Sequence, residues 1–154
     1  MKTYKSFGAL ARAFERVAAE MPATLAATAR AGALTVQNDA RERIGHYQAG
    51  WDVLAQSTLA DKRRQGFFGP LPGGDGGDNP LLRTGDMRKS IVGWSAGPKF
   101  VVGSSDEVMV YQEIGTVNMP PRPVLAPALK HMAPFVSTVL GRAVEKTLAG
   151  EKYD

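Results

Sequence analysis

The stretch from residue 111 to residue 129 decides the fold, and it reads Tyr111-Gln-Glu-Ile-Gly-Thr116, then Met119-Pro-Pro-Arg-Pro123, then Leu125-Ala-Pro-Ala-Leu129. Gly115 can take a positive φ at the end of a short apolar turn. The prolines around Arg122 fix φ near about −65°, so the connection is a stiff spacer that presents the guanidinium. Pro127 suits the first turn of a helix, where no amide donor is needed. The stretch therefore predicts a rigid link and the start of a helix.

Two upstream segments accompany this stretch: Trp51-x-x-Leu54-Ala-x-x-Thr58-Leu-x-x-Lys62, and Leu81-Leu-Arg-Thr-Gly-Asp-Met-Arg-Lys-Ser-Ile91. In this order the pieces resemble the tail-completion, or head-tail neck, proteins of tailed bacteriophages, also called the virion morphogenesis family. The resemblance spans residues 51–148. It implies a small structural subunit that is made in the bacterial host cytoplasm and joins the tail to the DNA-filled head in the virion.

The resemblance also implies the partners. The subunit would form a ring with copies of itself, with sixfold or twelvefold symmetry, and would contact other neck, connector and tail-terminator proteins. DNA would at most pass through the ring. Because ring closure needs two different patches on each subunit, we expect one patch along the helix predicted for residues 23–44. The other is expected at Tyr111, Glu113, Gly115, Pro120, Arg122, Pro123 and Leu125.

Within the second patch, Glu113 and Arg122 are the pair of interest. One hypothesis is that Arg122 pairs with a carboxylate across a subunit boundary, or with Glu113 itself, and so fixes the angle between subunits. The alternative is an exposed ion pair worth about 0 to 1 kcal/mol.

Composition bounds the class of protein. The chain has 154 residues, 44% of them hydrophobic, which predicts a single domain spanning residues 1–154. It has no cysteine, so neither disulfides nor a cysteine zinc site is available. No apolar run approaches the roughly 20 residues of a membrane helix, and we expect no membrane contact. The net charge of +4 leaves a small basic DNA-binding module as the alternative function. Its densest basic group, Lys62-Arg63-Arg64, is either a DNA-contacting patch or a solvated helix end.

The first 44 residues predict two helices. Apolar residues recur at helical spacing from Phe7 to Met21, and Pro22 should end this first helix and open a second over residues 23–44. The second helix carries a face of small residues, which lets a neighbouring helix or a second subunit approach closely. Trp51 and Leu54 should anchor the next segment, and Ser57 or Thr58 should cap a helix over Leu59–Gln65. Residues 66–80, rich in glycine and proline, predict a mobile loop with almost nothing to bury.

Residues 81–149 predict a small antiparallel sheet and a long C-terminal helix. Thr84 or Asp86 should cap one turn, and residues 90–96 and 99–103 should form a hairpin. Asp106 should cap a helix over Glu107–Ile114, with Val108, Tyr111 and Ile114 facing inward. Val124 and Leu125 suggest a further short strand, and residues 126–148 a final helix. The fold class is therefore α+β, with long terminal helices around a small antiparallel β-sheet.

No constellation points to catalysis. His46 and His131 are the only histidines, and no nucleophile elbow or phosphate-binding glycine loop is present. Gly73–Asp78 matches a single calcium-binding repeat, which cannot fill a coordination sphere without stacked copies. Trp51 and Trp94 are interpreted as packing residues rather than stacking platforms for nucleic acid. We therefore expect no enzyme, no cofactor and no metal.

Overall fold

The computed structural model of the chain describes residues 6–150. Long N-terminal and C-terminal helices pack around one antiparallel hairpin, so the α+β prediction is confirmed. In chain order the elements are α1 (Phe7–Arg43), α2 (Gln56–Arg64), α3 (Asp86–Ser90), β1 (Ile91–Ala96), β2 (Lys99–Ser104), α4 (Glu107–Ile114) and α5 (Leu125–Ala149).

The two helices predicted on either side of Pro22 are one continuous helix, α1, so that prediction is wrong. Pro22 removes one backbone hydrogen bond, but it lies on the exposed side, where water can reach the freed carbonyl. Ser6 caps the helix by accepting a hydrogen bond from the Ala9 amide at 3.2 Å. A proline on the solvent side thus interrupts the hydrogen-bond ladder of the helix without ending the helix.

The core lies between the second half of α1, the hairpin and α5. The small-residue face of α1 is buried at Ala29, Val36 and Ala40. At Gly32 a Cβ atom would come within 3.2 Å of Phe100 and 3.3 Å of Val136, so the absence of a side chain there lets strand and helix approach. This face is therefore covered by the chain's own elements. The subunit patch expected along residues 23–44 stays a prediction and would have to use the exposed side of the helix.

Helix α5 runs antiparallel to α1. The hydroxyls of Thr24 and Thr147 lie 3.0 Å apart near one end, and His131 Nδ1 lies 2.8 Å from Asp39 Oδ1 near the other. Because α5 ends at Ala149, the first turns of α1 extend beyond it. Phe7 is accordingly 92% exposed, although it belongs to the apolar stripe of the predicted first helix. The predicted C-terminal helix agrees with α5 to within one residue at each end.

The predicted hairpin is confirmed. Ile91 pairs with Ser104 and Ala96 pairs with Lys99, which leaves Gly97 and Pro98 as the turn. The hairpin's inner side packs on α1, where Gly93 lies so close that a Cβ atom would be 2.7 Å from the Ala33 carbonyl oxygen. Trp94 is exposed on the outer side, so it is not a core residue.

Residues 66–80 are held by many contacts, so the prediction that they bury almost nothing is wrong. Asn79 and Pro80 are buried, and Nδ2 of the Asn79 side chain donates to the carbonyls of Gly69 and Gly77 at 2.7 and 3.0 Å. The guanidinium of Arg88 donates to the carbonyls of Gly73 and Ile44, at 2.9 and 3.0 Å. The loop's mobility stays a prediction, but its backbone is bonded to the body.

Three local predictions are corrected. Helix α2 starts earlier than expected, at Gln56, with Ala55 at its N-cap and no capping side chain. Helix α3 has Gly85 at its N-cap, in the left-handed conformation, while Thr84 and Asp86 bond to each other. Val124 and Leu125 form no strand, because they are the N-cap and first residue of α5.

Candidate assembly surface and adjoining cleft

Helix α4 is mostly exposed. Asp106 caps it as predicted, accepting from the Val108 amide at 2.9 Å. Only Met109 of the helix is buried, so the inward face predicted for Val108, Tyr111 and Ile114 is wrong. Asp106 at the N-cap and Gly115 at the C-cap fix the rotation of this short helix. As a result the core covers only the side of the helix that carries Met109. The larger apolar side chains therefore face solvent.

The exposed apolar side chains of α4 and of the loop that follows it are together called the α4 surface. Ile114 is 71% exposed, and the loop residue Val117 is fully exposed. Isolated exposed apolar residues are ordinary, but a run of them marks a contact site. The α4 surface consists of Val108, Val110, Tyr111, Ile114 and Val117.

Glu113 lies on the opposite side of α4 and caps α5. Its carboxylate accepts hydrogen bonds from the amides of Val124 at 2.7 Å, Leu125 at 3.0 Å and Ala126 at 2.8 Å. The next residue is Pro127, which has no amide proton to satisfy. One carboxylate and one proline thus account for every donor in the first turn of α5, and the negative charge sits at the positive end of the helix dipole.

Arg122 is buried rather than presented. It is 7% exposed, its amide donates to the Gln112 carbonyl at 2.6 Å, and its Nη2 donates to the Asp52 carbonyl at 3.0 Å. Arg122 and Glu113 form no ion pair in residues 6–150, so the hypothesis of a bond between them is wrong. Arg122 instead ties the proline-rich link to the segment before α2.

The remaining predicted interface residues lie around this link. Gly115 ends α4 with φ 77°, and a Cβ atom there would come within 2.9 Å of the Met119 oxygen. Its predicted positive φ is confirmed. Pro120 is exposed, whereas Pro123 and Leu125 are half-buried. The predicted patch thus divides into an exposed part, mainly Tyr111 and Pro120, and a supporting part.

A cleft of about 720 Å³ lies beside the link, between α2, the segment before α3 and the residues that follow α4. Arg122 and Gln112 line it, and each has one buried polar atom without a partner: Arg122 Nε, a donor, and Gln112 Oε1, an acceptor. Charged residues of both signs also line it. Nothing in the sequence pattern marked Gln112, because its role depends on the fold of the link.

Lys62 also lines the cleft and is only 2% exposed. Its ammonium donates to the carbonyls of Asn79 at 2.5 Å and Leu82 at 2.7 Å. These carbonyls belong to a turn in which Asn79 and Leu81 have positive φ, so the ammonium stabilises a strained backbone. Burial, followed by the repulsion of Arg83, lowers the pKa of Lys62 to about 8.

Lys62 is therefore neither part of a DNA-contacting patch nor part of a solvated helix end, the two interpretations given for Lys62-Arg63-Arg64. Arg63 lies over the ring of Phe68 at 4.4 Å, and Arg64 pairs with Asp61 at 2.7 Å. Two hydrogen bonds from arginines, from Arg64 first and then from Arg83, lower the pKa of Asp61 to about 2. Lys62 follows the apolar residue Leu59 by three positions, so both lie on the same face of α2. This spacing is the sequence signal that could have indicated the burial of Lys62.

The other candidates from the sequence are not brought together. His131 is exposed beside Asp39, at 2.8 Å, and His46 lies at the end of α1. Within residues 6–150 no group of three or more histidine, aspartate or glutamate side chains is placed to hold a metal ion. None of the described helices is long and apolar enough to span a membrane.

Comparison with known proteins adds no relative: no family model, no curated protein and no solved structure matches the chain.

Proposed function

We propose that this chain is a structural assembly protein of a tailed bacteriophage, a neck or tail-completion subunit that acts through contacts and not through catalysis. The observation that carries the proposal is the α4 surface. The stretch that resembles the family also leaves Tyr111, Ile114 and Val117 51%, 71% and 102% exposed. A group of apolar side chains on a firmly held element is typical of a protein contact site.

The way α4 is mounted supports this role. Glu113 bonds the helix to the start of α5, Gly115 turns the chain, and Arg122 bonds the link to the body. The surface is therefore preorganised, and little conformational entropy is lost when a partner binds. A stable contact buries about 1,200 to 2,000 Å² in total, so a partner would also have to cover polar residues around the α4 surface.

In the proposed assembly the subunits form a ring at the head-tail junction of the virion. Sixfold or twelvefold symmetry, contacts with connector and tail-terminator proteins, and DNA passing through the centre all follow from the family resemblance. The subunit would be made in the bacterial cytoplasm before assembly. A head-to-tail ring needs a second patch, and because the small-residue side of residues 23–44 is buried, a patch along this helix would use its exposed side.

The test is a charge substitution on the α4 surface. We expect the double variant Tyr111→Asp, Ile114→Asp to fold but to be absent from particles, because two desolvated carboxylates oppose any apolar contact. Electron microscopy should then show heads and tails that are not joined. The matched control is Leu34→Asp, an exposed apolar residue of α1, and it should leave particle titre unchanged.

Two results would contradict the proposal. One is a normal titre with the double variant, which would show that the α4 surface makes no essential contact. The other is duplex DNA binding whose affinity falls steeply with salt, which would favour the DNA-binding module. No structural observation favours that module, since Lys62, one of its three clustered cations, is buried.

A further inference from the structure

The outer side of the hairpin carries a group of exposed apolar side chains, which we call the outer hairpin surface. It consists of Val92, Trp94 and Val101, each of which is more than half exposed. Trp94 and Val101 pair across the two strands, and Val92 precedes Trp94 by two positions on the same side of β1. The three side chains are therefore neighbours on the side of the sheet that faces away from α1. Tryptophan is enriched at protein contacts, so its exposure within an apolar group marks this surface as a contact site.

Two glycines distinguish the two sides of the hairpin. On the inner side, Gly93 is explained by the chain itself, because its Cβ atom would collide with the Ala33 carbonyl of α1. On the outer side, Gly103 pairs with Val92 and follows Val101 by two positions. A Cβ atom at Gly103 would meet nothing within 4 Å in the described part of the chain, and its φ is not positive. Glycine weakens a strand, and it often marks a place where another element approaches closely. The missing side chain leaves a notch that a side chain from outside this chain can fill.

The charges of the hairpin and of α4 are opposite in sign. Residues 87–105, which include the hairpin, hold three basic residues and no acidic residue. Residues 106–121, which include α4, hold three acidic residues and no basic residue. Lys99 of the first group and Glu107 of the second are exposed. Opposite charges around two apolar surfaces favour contact between the two surfaces, and they oppose contact of either surface with another copy of itself.

We propose that the α4 surface of one copy of this chain packs on the outer hairpin surface of the next copy. Helix α4 then covers the outer side of the sheet as α1 covers the inner side, so the hairpin becomes the middle of three layers. The eight residues of α4 span about 12 Å, which fits within the roughly 20 Å of a six-residue strand. An apolar side chain of α4 fills the notch at Gly103. This inference deepens the proposed function and rests on it, since it names both surfaces of the contact between subunits.

The contact is head to tail, because its two surfaces are different. Each copy uses its α4 surface toward one neighbour and its outer hairpin surface toward the other, and such a contact closes into a ring when the rotation between copies allows it. No residue belongs to both surfaces, so the two contacts do not compete for the same side chains. The second patch of the ring is then the outer hairpin surface and not the exposed side of residues 23–44.

The experiment is sedimentation of the purified protein at concentrations from about 1 to 500 µM, a range in which weak contacts are visible. Wild type should exceed twice its mass of 16.5 kDa, because a head-to-tail contact does not stop at two copies. The double variant Tyr111→Asp, Ile114→Asp should stay a single copy, and so should Trp94→Asp, Val101→Asp, since each places carboxylates in the apolar contact. Leu34→Asp, on the exposed side of α1, is the matched control and should assemble as wild type does.

Mixing the two double variants tests the polarity of the contact. The variant changed on α4 keeps an intact outer hairpin surface, and the variant changed on the hairpin keeps an intact α4 surface. We expect the mixture to form a one-to-one pair that does not grow further. Because the pair forms only when both variants are folded, it also shows that neither variant is a single copy because of unfolding.

Gly103→Gln tests the notch without adding a charge. No atom of the described chain lies within 4 Å of the new Cβ position, so urea unfolding of the single copy should be nearly unchanged. The glutamine side chain fills the notch, and assembly should weaken at least about tenfold. Tight assembly of this variant would show that the partner does not use the notch and would contradict the proposed contact.

Three further results would overturn the contact. A wild-type protein that stays a single copy at every concentration would exclude it, and so would a mixture of the double variants that does not pair. Loss of assembly in Leu34→Asp would place the second patch along residues 23–44 instead. All of these leave the proposed function standing if the protein is found in particles. Absence of the protein from particles, together with the expected sedimentation results, would instead contradict the proposed function alone.

Discussion

Glu113→Ala is expected to lower stability strongly, because one carboxylate accepts the hydrogen bonds of the first turn of α5. The substitution removes three hydrogen bonds, to the amides of Val124, Leu125 and Ala126. Pro127 prevents the helix from shifting its start by one residue without losing a bond.

The magnitude follows from where the three amides lie. Val124 is fully buried, so its amide cannot find water, and leaving it unpaired costs about 1 to 3 kcal/mol. The amide of Ala126 is near solvent, and its loss resembles the removal of an ordinary N-cap, which costs about 1 kcal/mol. We therefore expect Glu113→Ala to lower the free energy of unfolding by about 3 kcal/mol. Glu113→Gln keeps one acceptor oxygen and should cost about half as much.

The assay is equilibrium unfolding in urea, with the slope against denaturant checked for constancy. Glu107→Ala is the control, because this glutamate is on the same helix, exposed, and interacts only with the helix dipole. It should cost less than about 1 kcal/mol. A Glu113→Ala protein within about 0.5 kcal/mol of wild type would refute the reasoning, since surface substitutions commonly stay in that range.

Two further predictions concern the hairpin and the buried lysine. Gly93→Ala should destabilise by about 1 to 3 kcal/mol, because its Cβ would lie 2.7 Å from the Ala33 oxygen, whereas Gly103→Ala on the facing strand meets nothing and should be nearly neutral in urea unfolding. The pKa of Lys62 is about 8 in the folded chain against 10.5 unfolded, so between these values the unfolded chain holds the extra proton and stability should rise with pH. Relative to Lys62→Met, wild type should gain on the order of 3 kcal/mol across this window; parallel stability curves would contradict it.

Much of the fold could be predicted where local chemistry decides. Asp106, Gly115 and the hairpin residues act through their own backbone neighbours, and each was assigned correctly. Helix α5 was also predicted, because its apolar repeat is long and Pro127 marks its first turn. Such features depend on residues a few positions apart, which a sequence displays directly.

The features that the sequence did not predict depend on contacts between residues far apart along the chain. Pro22 does not end α1 because its side of the helix faces solvent. Lys62 can be buried because its ammonium donates to the carbonyls of Asn79 and Leu82. The exposed position expected for Arg122 was wrong for the same reason: its partner is the Asp52 carbonyl, 70 positions away. No local pattern shows which backbone carbonyl a long cationic side chain will reach.

The overhang of α1 has a mechanical consequence. From Thr24, whose hydroxyl contacts Thr147 of α5, to Phe7 the helix runs on for about 25 Å at 1.5 Å per residue. Over that length roughly 5° of tilt at its root, close to Pro22, where one backbone hydrogen bond is missing, moves its tip by about 2 Å. The position of Phe7 therefore changes with small rotations of α1 relative to the rest of the protein.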